Sequence, residues 1–174
     1  MDGKVHVAAG IATLAALSFK NIAGFTFASI PVVPCFSFLT IALGNYIPDI
    51  DLSTTHMGNQ HKGTSRIISS IGGGHRGITH TPVVPVLLFL LMRDIANSVP
   101  SVAAIPCSII FGLFLGYAVH LFADLFNRKG IPLFYPFCKK KVHIMSLQSN
   151  GLQPFIWLII YCVVIFVASA MRTL

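Results

Sequence analysis

Five apolar stretches alternate with polar ones along the chain. The first runs from about Val5 to Phe19 and is closed by Lys20 and Asn21. The second, IAGFTFASIPVVPCFSFLTIALG, covers 22–44 and contains Pro31 and Pro34, which should kink a helix or delay its start until after Pro34. A polar stretch from Asn45 to Thr79 follows. The third apolar segment, PVVPVLLFLLM at 82–92, is short for a span and is expected to extend at its ends. The fourth runs from Val102 to Phe122 and the fifth from Leu152 to Met171, with the basic loop NRKGIPLFYPFCKKKVHIM between them. No internal repeat or low-complexity tract interrupts this order. The pattern predicts an all-α, polytopic bundle of four to five membrane helices. It forms a single domain over 1–174, with polar loops at 45–79 and 125–151.

Composition agrees. The hydrophobic fraction is 55%, while only 10% of residues are charged, which excludes an ordinary soluble domain. The first twenty residues carry Asp2 beside Lys4 and lack a small-x-small cleavage site, so they read as a retained helix rather than a signal peptide. If each helix crosses the membrane, the two polar loops fall on one side. That side collects Lys4, Lys62, Arg66, Arg76, Arg128, Lys129, Lys139, Lys140 and Lys141. Lys20, Arg93 and Arg172 fall on the other. The positive-inside rule makes the richer side cytoplasmic. The net charge of +7 therefore points to cytoplasmic loops and anionic headgroups, and no nucleic-acid partner is expected. The Lys139–Lys141 run suits lipid headgroups, and the aromatic IPLFYPF before it suits an interfacial anchor. Cys35, Cys107, Cys138 and Cys162 show no CxxC pairing and read as inert thiols.

Acids are scarce: there is no glutamate, and the aspartates are Asp2, Asp49, Asp51, Asp94 and Asp124. Three of these five fall at helix ends on the basic side, where four histidines join them. His6 lies near the start of the first helix, Asp49 and Asp51 follow the second, His75 and His80 precede the third, and His120 and Asp124 end the fourth. Imidazole nitrogens and carboxylate oxygens gathered at one depth suit zinc, manganese or iron. In GYAVHLFAD, His120 and Asp124 are four apart and share a helix face, as do Gly112 and Gly116, which would admit a close neighbour. Each motif also has a bland reading. His120 and Asp124 could simply hydrogen-bond, Asp49 or Asp51 could cap the next element, and HRGITH could be a structural turn. A lone His6 on an apolar helix is ordinarily just hydrogen-bonded. Arg76 could clamp a phosphate or carboxylate, or pair with Asp49 or Asp51. Gly72–Gly74 carry no phosphate-binding signature, and His56 and His61 read as solvated.

The order PDID, HRGITHT and GYAVHLFADLFNRKGIPLFYPF resembles the bacterial inner-membrane metal-dependent hydrolases of the YdjM type, from His6 through Phe137. The resemblance implies a metal site on His6, Asp49, Asp51, His75, His80, His120 and Asp124. It also implies a distant similarity to zinc-dependent phospholipase C. Two positions depart from the family pattern: Leu52-Ser53 stands where His-Pro is frequent, and Asn127 where threonine is. The absence of glutamate argues against a full three-metal site and leaves ligands for one or two ions. The expected function is an inner-membrane, metal-dependent hydrolase of a lipid-like phosphoester. Zinc is the expected ion and manganese the other choice, with Asp49, Arg76 and His80 catalytic and membrane lipids as partners. The rival readings are a metal or proton transporter and a metal-binding protein without activity. Transporters usually bind near the midplane between repeats, and neither feature is visible here.

Overall fold

The computed structural model describes residues 3–19, 21–51, 77–135, 137–138, 140–148 and 151–171, with only the backbone of Asp51. His56, His61, Gly72–Gly74, His75 and Arg76 lie outside the described residues, as do Lys20, Lys139 and Arg172. Five α-helices are described: α1 (Gly3–Ser18), α2 (Pro34–Tyr46), α3 (Val83–Ser98), α4 (Ala104–Leu125) and α5 (Gln153–Met171). The chain is mostly helical, as its apolar periodicity requires.

The segment before α2 departs from the all-α expectation. Phe25–Phe27 (β1) and Ile30–Val32 (β2) form an antiparallel hairpin pairing Phe25 with Val32 and Phe27 with Ile30. Its two-residue turn, Ala28-Ser29, has positive φ at both positions, the geometry that matches strand twist. Pro31 cannot donate within a helix, and Pro34 sits where a helix can begin, so α2 starts at Pro34 after the extended Val33. Phe27 packs on Phe111 and Phe114 in the first half of α4, which places the hairpin away from that helix's C-terminal end.

Only α4 and α5 among the described helices are long and apolar enough to cross a membrane on their own. α1, α2 and α3 have 16, 13 and 16 residues, short of the ~20 that a perpendicular span takes. α4 is the hub: 56% of its apolar window is buried, against 6% for α5. Phe111, Leu115, Val119 and Ala123 of α4 join Val5, Ala9, Ile41, Met92 and Trp157 in the core. Side-chain pairings give the helix directions. Gly3 and Gly10 of α1 lie against Tyr46 and Asn45 of α2, so these two run antiparallel. Met92 of α3 meets Cys107 of α4 and Phe89 meets Phe114, again antiparallel. Thr13 bonds Tyr161 and Ala16 accepts from Ser169, so α1 and α5 run the same way.

α2 and α4 also run the same way and touch through their backbones. A Cβ on Gly112 would strike the Ser37 carbonyl, one on Gly116 the Ile41 carbonyl, and one on Gly44 the Leu113 carbonyl. The Ser37 hydroxyl donates to the Ser108 carbonyl at 2.8 Å, and Thr40 to the Ile109 carbonyl at 2.7 Å. Small residues and hydroxyls joining helices in this way are typical of membrane packing. Gly116→Val is expected to cost about 1–3 kcal/mol by overpacking. Thermal unfolding of the variant in detergent measures this, and an unchanged midpoint would show that the glycine contact does not matter.

Candidate metal centre

The glycine crossing brings the C-terminal ends of α2 and α4 together. Beyond Tyr46 the chain tightens into a 3-10 turn, Ile47–Asp51, which carries Asp49 to the end of α4. A second 3-10 turn, Ile78–His80, enters α3 from the same end and presents His80. His6 comes from the first turns of α1. His120 and Asp124 occupy the last turns of α4, one helical turn apart.

These five side chains meet. His80 Nε2 lies 3.6 Å from both Asp49 Oδ1 and Asp124 Oδ2. His120 Nε2 lies 3.8 Å from the same two oxygens. His6 Nε2 is 3.6 Å from the other oxygen of Asp124, Oδ1. The imidazoles of His6 and His120 stack with centroids 4.1 Å apart, and that of His80 stands edge-on to His120 at 5.5 Å. His6, His80, His120 and Asp124 are fully buried, while Asp49 keeps 22% exposure and forms the open rim.

The spacing has a chemical meaning. Distances of 3.6–3.8 Å exceed the N–H···O hydrogen-bond range of roughly 2.7–3.2 Å. They lie near the ~3.4 Å edge of a tetrahedron whose zinc–ligand bonds are about 2.0–2.2 Å. His120 Nε2 is buried yet makes no hydrogen bond among the described residues, an expense that a bound cation would offset. Two three-ligand sets result: His6, His120 and Asp124, and Asp49, His80 and His120. Two carboxylates supply the anionic charge a divalent cation needs, so the donor set fits zinc or manganese. Burial by itself would raise the pKa of Asp49. The His80 imidazole beside it and the nearby His120 outweigh that and hold it at about 2. Asp49 is therefore an anion throughout the physiological range.

Neighbouring groups aim the ligands. The Thr79 hydroxyl lies 3.2 Å from His80 Nδ1, leaving Nε2 directed at the carboxylates. The Tyr117 hydroxyl donates to the Thr79 carbonyl and ties this turn to α4. The Asn127 amide reaches Asp124 Oδ1 at 3.5 Å, so asparagine at the position where the family often has threonine still serves the carboxylate. Of the residues expected from the sequence, His6, Asp49, His80, His120 and Asp124 are brought together. The Asp51 backbone lies two residues beyond Asp49, its side chain is outside the described residues, and so are His75 and Arg76. Tyr117 and Thr79 escaped the sequence reading. Their signals were faint: Tyr117 lies three residues before His120, and Thr79 adjoins His80.

The model of the YdjM inner membrane protein family matches residues 1–174. The chain belongs to the YdjM family. It is 32% identical over 126 residues to inner membrane protein YdjM of Escherichia coli (strain K12), a match covering 71% of this chain and 59% of that protein. The Shigella flexneri protein of the same name matches to the same extent. The uncharacterized protein YvsG of Bacillus subtilis (strain 168) is 33% identical over 137 residues, covering 78% of this chain and 74% of its own. The chain thus spans 59% of the length of the two YdjM relatives. No solved structure matches. For this YdjM family member, Tyr117→Phe is expected to weaken divalent-metal affinity by roughly 10- to 100-fold, because the His80 turn loses its tie to α4. Isothermal titration with zinc measures this, and wild-type affinity would show that the tie does not orient His80.

Proposed function

We propose that this protein is a membrane-bound, metal-dependent hydrolase of a phosphoester in a lipid or lipid-like substrate. The observation that carries the reading is the convergence of five ligand side chains from four chain segments at one end of an apolar helical bundle. His80, His120, Asp49 and Asp124 Oδ2 would hold one ion, and His6 with Asp124 Oδ1 would take part in holding a second. Asp124 directs one carboxylate oxygen toward His6 and the other toward His80, so it could contribute to either position. Zinc is the expected ion and manganese the other choice, with Asp51 and His75 available as further ligands. A divalent ion held there supplies Lewis-acid activation of water, whose pKa on zinc falls to ~7.

The residues divide the remaining work. Asp49, anionic at the open rim, acts as a ligand and not as a base, since a carboxylate with a pKa of about 2 is a weak proton acceptor. His80, held by Thr79, keeps its Nε2 on the reacting side. Arg76, next to Gly77 in the sequence, would supply a guanidinium of the kind that clamps a phosphoryl group as charge develops. The helix directions alternate from α1 through α5, which supports four to five crossings, and the excess of Lys and Arg in the loops on the site's side supports a cytoplasmic face. An inner-membrane location accords with the names of the relatives.

In proteoliposomes offered a panel of phospholipids and phosphomonoesters, His120→Ala is expected to lose bound zinc and at least about a thousandfold of turnover. Undiminished turnover by a metal-free preparation would refute the hydrolase reading. Metal-dependent uptake without hydrolysis would favour transport instead. A second prediction concerns sidedness: a reporter fused after Met171 should lie on the periplasmic side. A fusion that is active only in the cytoplasm would invert the topology.

A further inference from the structure

Between α4 and α5 lies a cavity of about 470 Å3, lined by Phe122, Phe126, Leu147, Trp157 and Val164, with Gln153 as its polar member. It is separate from the metal centre. Phe122 and Phe126 are offset by two residues from His120 and Asp124, which turns them to the other side of α4. The cavity exists because α5 packs along α1, through the Thr13–Tyr161 and Ala16–Ser169 hydrogen bonds. α5 meets α4 through aromatic rings: Phe122 against Tyr161 at 6.1 Å and Phe126 against Trp157 at 5.6 Å. The volume left between them falls within the range of ligand pockets.

The loop that closes one end of this groove is basic. Leu147 is fixed to the end of α4 by its amide, which donates to the Phe126 carbonyl at 3.0 Å. Its own carbonyl accepts from the Arg128 amide at 3.2 Å. Arg128 and Lys129 are both exposed there, and Lys140 and Lys141 are exposed farther along the same loop. No acidic residue follows Asp124 in the sequence, so no carboxylate from the loop or from α5 offsets this charge. An apolar slot ending at exposed cations complements a molecule with a hydrocarbon chain and an anionic head.

We propose that the α4–α5 groove binds an anionic phospholipid, one acyl chain lying along Trp157 and Val164 and its phosphate set against Arg128 and Lys129. The lipid fills the gap that side chains leave between the two longest helices. This assignment stands apart from the hydrolase reading, since the groove and the metal cluster lie on different sides of α4.

Trp157 is the protein's one tryptophan and lines the groove, so it reports occupancy directly. The full chain in phosphatidylcholine nanodiscs would be given phosphatidylglycerol or phosphatidylcholine with brominated chains, and tryptophan quenching followed. Saturable quenching is expected, with phosphatidylglycerol preferred on the order of tenfold. Arg128→Gln with Lys129→Gln should erase the preference, Arg128→Lys should keep it, and Val164→Phe should reduce maximal quenching by both lipids. Equal, non-saturating quenching by both lipids would overturn the proposal, as would a lipid-free dimer in native mass spectrometry with the groove closed by a second copy.

Discussion

Where α2 runs beside α4, three glycines let the carbonyl oxygens of one helix lie against the backbone of the other, and that contact sets Asp49 against His120 and Asp124. Gly112 and Gly116 are one turn apart and receive Ser37 and Ile41, while Gly44 receives Leu113 in return. Because the helices run the same way, their C-terminal ends arrive together. Asp49, three residues past α2, therefore reaches the turn that carries His120 and Asp124. A larger interaxial distance would separate these carboxylates. The constraint is steric, and the chemistry inherits it.

In hydrocarbon surroundings apolar side chains gain little by leaving lipid for each other, so docking depends on van der Waals fit and on interhelical hydrogen bonds. Ser37 and Thr40 provide the latter by donating across to α4 carbonyls. The same economy explains the acids. A chain with five aspartates and no glutamate has few carboxylates to place, and two of them are packed among three imidazoles. Burial on that scale is tolerable when the charges are met by donors or a cation.

The helical period made much of this legible. Residues four apart, Gly112 with Gly116 and His120 with Asp124, share a face whatever the rest of the fold does, and both pairs behave as that spacing requires. Counting helix ends placed His6, Asp49 and His80 near them. The hairpin at 25–32 was hidden because FTFASIPV is as apolar as a helix, and only Pro31, with Pro34 just after it, hinted at extended backbone. The tie from Tyr117 to Thr79 joins residues 38 apart in sequence and leaves no local pattern. How the two oxygens of Asp124 divide between His6 and His80 depends on the rotation of the carboxylate, and spacing does not encode that.

His6 and His120 stack although 114 residues separate them along the chain, and no two neighbouring helices alone contain the cluster. The ligand set therefore does not exist in a partly assembled bundle. It is completed when the end of α4 docks against α1, late in synthesis as well as in space. An ion that recognises the full set would bind the finished arrangement and none of its fragments, so mass action would draw the helices toward their docked state. Occupancy of such a site would then set how much of the protein is assembled.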